Sequence, residues 1–77
     1  MKSTFHEVEL GKAVVQNATE AGTEQLIVTL NPDRKFPVQL QIRQNTNGSS
    51  EASAPIAIDQ HGLQRLFQWL RDEDALS

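Results

Sequence analysis

The chain has no cysteine and no tyrosine, and only one tryptophan and three prolines among its 77 residues. Without cysteine there is no disulfide scaffold, no thiol nucleophile, no zinc–thiolate centre and no iron–sulfur cluster. The aromatic side chains are Phe5, Phe36, Phe67 and Trp69. Basic residues are scarce: 7 Lys+Arg stand against 10 Asp+Glu, a net charge of −3. A generic basic nucleic-acid binder is the opposite case. No apolar run approaches the ~18 residues that a membrane span requires. The segment Met1 to Glu7 has one basic residue and no apolar core, so a secretory signal is not expected there. These absences lead to an expected cytoplasmic protein with no membrane partner.

Catalytic signatures are missing as well. There is no Gly-x-Ser-x-Gly elbow, no Gly-x-x-x-x-Gly-Lys loop and no Gly-x-Gly-x-x-Gly turn. Ser49, Ser50 and Ser53 fall in a polar stretch, with no base placed beside them by any motif. His6 and His61 are far apart, and no cysteine can complete a metal site with them. We therefore expect no catalytic residue, no metal, no cofactor and no enzymatic activity.

What is present is strand and helix patterning. Pro37–Gln44 alternates Val38, Leu40 and Ile42 with Gln39, Gln41 and Arg43, a half-buried strand. Glu24–Leu30 alternates likewise, with Leu26, Val28 and Leu30 on one side and Ile27 and Thr29 on the wet side. Asn31-Pro32-Asp33 suits a turn, so the two strands read as an antiparallel hairpin. A short third strand, Pro55–Ile58, precedes a helix capped by Asp59 and running to about Asp72. Leu63, Leu66, Phe67 and Leu70 form its apolar stripe. Gly62 in the first turn suggests close packing on a strand. Thr4-x-x-Glu7 matches a helix capping box, but Val8 and Leu10 alternate with Glu7 and Glu9, and a strand bulged at Gly11 is the preferred reading.

The fold expected is α+β: a small antiparallel sheet of three to four strands in the order β-β-β-β-α, with one amphipathic C-terminal helix packed on one face. Residues 1–77 make a single domain, with a flexible hairpin loop at about 44–54 that contains the Asn47-Gly48 turn signal, and an acidic tail at 72–77 open to fraying. The expected core runs from Val8, Leu10 and Val15 through the strand residues above to the helical stripe. In a chain this short, burial barely exceeds the cost of ordering the backbone, so association into a homodimer is expected.

Charge is unevenly placed. Residues 1–50 are neutral, and the net charge of −3 belongs to the last third. Asp72, Glu73 and Asp74 crowd the C-terminal end of the helix, where the helix dipole is already negative. Trp69 lies on the flank of the stripe, in line with Arg65 and Glu73. The first functional reading is a non-enzymatic interaction module. It would be an inhibitor or accessory factor of the kind phages and mobile elements encode, binding a protein through Trp69, Arg65, Asp72, Glu73 and Asp74. The alternative is a weak single-stranded nucleic-acid binder using Arg34, Lys35, Gln39, Gln41 and Arg43 on the wet face of the sheet.

Overall fold

The computed structural model describes residues 2–31 and 38–76. Six strands and one helix follow in order: β1 (Thr4–Glu9), β2 (Lys12–Thr19), β3 (Gly22–Leu30), β4 (Val38–Thr46), β5 (Ser49–Ala52), β6 (Ile56–Ile58) and α1 (Gln60–Asp72). All pair antiparallel in one sheet of order β1-β2-β3-β4-β5, with β6 also on β4. The α+β class is as expected, but the strands outnumber the three to four that periodicity suggested.

Two differences account for the extra strands. The first twenty residues are neither a helix nor one strand bulged at Gly11. They form a hairpin that turns at Leu10 and Gly11, with Glu9 opposite Lys12. Leu10 sits at the tip, 99 % exposed. Its apolar side chain continues the Val8 alternation and so disguises a turn. The second difference is the polar stretch at 44–54, whose Asn47-Gly48 hairpin turn is as the sequence suggests but whose arms are paired strands where a flexible loop is expected. β4 runs to Thr46, and β5 returns from Ser49 through a two-residue turn. Asn47 and Gly48 have φ of 50° and 83°. Both are positive, as the hairpin turn that matches strand twist requires, and Asn-Gly is the pair that tolerates it best.

β5 and β6 lie on the same side of β4. Thr46 pairs with Ser49 at one end and Val38 with Ile58 at the other, so together they form one edge strand interrupted at 53–55. Ser53 bridges the interruption. Its amide donates to the Ile42 carbonyl at 2.8 Å, and its Oγ accepts from the Ile42 amide at 3.0 Å. The neighbouring strand keeps its hydrogen bonds across the break.

The register sorts side chains between two faces, because residues directly opposite one another share a side. Val15, Leu26 and Ile42 line up across β2, β3 and β4, as do Ala13, Val28, Leu40 and Ile56 across β2, β3, β4 and β6. The other face carries Gln16, Gln25 and Arg43, then Val14, Ile27 and Gln41, then Lys12, Thr29 and Gln39.

Asp59 caps the helix as expected, its Oδ1 accepting from the Gly62 amide at 2.8 Å. A Cβ on Gly62 would meet Ile58 Cγ2 at 3.2 Å, so the first turn presses against the end of β6. The expected packing of the helix along a sheet face does not occur. No helix residue is buried: Leu63 and Leu70 are half-buried, and Leu66 and Phe67 are exposed. Among the described residues the buried apolar side chains are Ile27 (7 % exposed) and Val38 (6 %). Ile27, which alternation assigns to the wet face, is buried on the central strand β3, where Val14 and Gln41 flank it.

Candidate functional site

Arg65, Trp69 and Glu73 recur every four positions at the end of the chain's helical segment, so they lie along one flank of α1, beside Asp72. Their positions follow from helix geometry, and their availability from the absence of a sheet against that flank. Trp69 is 59 % exposed, an indole presented to solvent and not a lid on a core edge. Arg65, Asp72, Glu73 and Asp74 are exposed as well.

The helix end is held by a backbone closure. The Asp74 amide donates to the Arg71 carbonyl at 3.1 Å, and the Ala75 amide to the Leu70 carbonyl at 2.8 Å. This is the Schellman arrangement, in which the residue after the cap turns left-handed. That residue is Asp74, with φ of 61°, where glycine is usual. Gln68 Nε2 donates to Asp72 Oδ1 at 3.0 Å and fixes one of the three carboxylates on the helix surface. The result is a cluster of negative charge on a closed helix end, next to a flat aromatic side chain. Chemically it can accept charge-assisted hydrogen bonds from Arg or Lys while the indole covers apolar surface.

The alternative face is only partly on view. Gln39, Gln41 and Arg43 share the polar side of β4. Arg34 and Lys35, the other residues expected there, lie outside the described residues, as does Phe36. Several amides of this face are engaged within the sheet. Gln25 Nε2 donates to Gln16 Oε1 at 2.7 Å, and Gln41 Nε2 to the Ser53 carbonyl at 2.9 Å. Arg43 is exposed. The register places no Phe or Trp on the described part of this face, whereas stacking on aromatic rings is the usual means of holding single strands.

His6 sits on the polar face opposite Val14, and His61 is exposed in the first turn of α1. Among the described residues no group of three His, Asp or Glu side chains is placed to hold a metal ion. No described helix is long and apolar enough to cross a membrane.

The sequence pattern predicts the apolar side of the sheet as interior, but only Val38 on that side is buried among the described residues, while Val15, Val28 and Leu40 are half-buried. Leu26, Leu30, Ile42 and Ile56 are all exposed. Periodicity marks a face as apolar but carries no signal for what covers it. No protein-family model, no curated protein and no solved structure matches the chain.

Proposed function

We propose that this chain is a non-enzymatic protein-interaction module whose helix flank docks a protein with a basic surface. The observation that carries this reading is Trp69, exposed beside the carboxylates of Asp72, Glu73 and Asp74 on a helix end closed by backbone hydrogen bonds. An indole is the side chain most often found at binding hot spots, and acidic neighbours steer a basic partner and set its orientation. The module acts as an inhibitor or accessory factor of the phage or mobile-element kind, in the cytoplasm and as a homodimer. The engaged amides of the polar sheet face, and its lack of stacking rings, weigh against single-stranded nucleic acid as the ligand.

The test is affinity purification from the source cell, identification of the captured protein, and titration of the purified pair. Loss of a central hot-spot side chain costs about 2 kcal/mol or more, so Trp69→Ala should weaken binding by roughly 30-fold. Charge reversal at Asp72, Glu73 and Asp74 should slow association and flatten its salt dependence. Unchanged affinity and unchanged salt dependence in the combined variant overturn this reading.

A further inference from the structure

Among the described residues, the helix meets the apolar face of the sheet at its first turn, against Ile58 beside buried Val38, and the rest of that face has nothing packed on it. Phe5, Leu26, Leu30, Ile42 and Ile56 stand exposed on it, Ile56 at 64 %. Two shallow grooves cross this face. One of about 310 Å³ is bordered by Val15, Leu26 and Ile42, with Glu24 also in its lining, and one of about 280 Å³ by Phe5, Val28 and Leu30, with Glu7 and Lys12 also in its lining. The helix has an uncovered apolar stripe of its own, with Phe67 at 49 %. Each is the kind of surface the other would cover, yet the chain does not bring them together.

The size of the uncovered surface is large. The accessible area is 6372 Å². A compact monomer of 8.6 kDa exposes about 4,700 Å². The radius of gyration is 14.0 Å, against about 11.5 Å for a compact chain of 77 residues. The excess is therefore roughly 1,700 Å² per chain. Two chains that each covered this excess would bury roughly 3,400 Å² in total, inside the range of about 2,000–5,000 Å² for obligate homodimers.

We infer that a second copy of this chain covers the apolar sheet face, the Leu63/Leu66/Phe67/Leu70 stripe of each copy lying on the sheet of the other. A two-fold axis satisfies both surfaces of both copies at once, since what one chain lacks its duplicate presents. The edges of the sheet favour face contact over edge pairing. β1 carries Glu7 and Glu9 at an irregularity in its register, and the opposite edge is interrupted at Ser53–Pro55. This inference rests on the homodimer of the proposed function but not on its partner. The stripe and the Trp69 flank are separate sides of the helix, so one can be occupied while the other docks.

The experiment is sedimentation equilibrium across a wide concentration range, with thermal unfolding at the same concentrations. A dimer mass and a Tm that rises with protein concentration are expected. Because the chain has no cysteine, Ile42→Cys and Phe67→Cys can be made cleanly, mixed, and treated with a short bismaleimide. The mixture should give a cross-linked dimer in far higher yield than either variant alone. Ile42→Asp should lower the dimer fraction, and Trp69→Ala should leave it unchanged. A monomer mass with a concentration-independent Tm overturns the inference. So does a dimer that cross-links through Phe67→Cys alone, which would place helix against helix. Loss of the foreign partner in Trp69→Ala with the dimer intact, or its persistence when the dimer is lost, separates the two proposals.

Discussion

Asp74→Gly should stabilise the protein, and two separable physical causes set the size of the gain. Asp74 is left-handed at φ of 61°. That region costs an L-residue roughly 1–2 kcal/mol, less for Asp, whose short side chain tolerates it. Its carboxylate also sits at the negative end of the helix dipole, an exposed contribution of about 0.3–1 kcal/mol. Glycine removes both, for a combined gain of about 1–2 kcal/mol. In a domain of this size that corresponds to a rise in Tm of roughly 4–16 °C. Asp74→Asn removes only the charge and should show a smaller gain, which disappears in about 1 M salt, where the screening length falls to ~3 Å. The assay is thermal unfolding followed by far-UV circular dichroism at one fixed protein concentration, in low and high salt. If glycine in high salt is no more stable than asparagine, the left-handed closure is not under strain and the reasoning fails. Should the carboxylates at 72–74 serve a partner, the stabilised variant binds it more weakly. A stability cost at a docking site would then be visible in one residue.

Burial makes a sharp contrast at two apolar positions. Ile27→Ala should cost about 2–4 kcal/mol in urea unfolding, because Ile27 is one of the buried side chains, whereas Leu10→Ala should stay within about 0.5 kcal/mol. Equal costs would mean the interior is placed wrongly. Asp59→Ala should lower stability by about 1 kcal/mol through loss of the bond to the Gly62 amide, and Asp59→Asn should restore most of it.

The elements legible in the sequence are those whose own side chains report their surroundings. β3 and β4 alternate cleanly, and α1 has both a cap and a stripe, so its span from Gln60 to Asp72 could be read almost to the residue. β5 could not be read this way. Ser49, Ser50 and Glu51 bury nothing, and their pairing is dictated by the Asn47–Gly48 turn and by the free edge of β4. Backbone hydrogen bonds hold that strand, and they leave no trace in hydropathy. The turn at Leu10 was hidden for the converse reason, an apolar residue at an exposed tip. For the site, the flank of Arg65, Trp69 and Glu73 follows from helical spacing alone. The openness of the sheet face does not, because whether Leu26 and Ile42 meet this helix or another molecule is a property of packing and not of period.

The order of the strands has a kinetic consequence. Each strand from β1 to β4 pairs with the next one along the chain, and the last edge folds back on β4. Every pairing is therefore a hairpin or the short extension of one. The chain can close such contacts one after another without first bringing distant segments together, so little loop entropy stands in the way. The sheet should form within single chains in a rapid phase that does not depend on concentration. Any slower, concentration-dependent phase then belongs to the helix stripes and sheet faces meeting afterwards. Assembly of this protein would thus proceed by local zippering first and collision second.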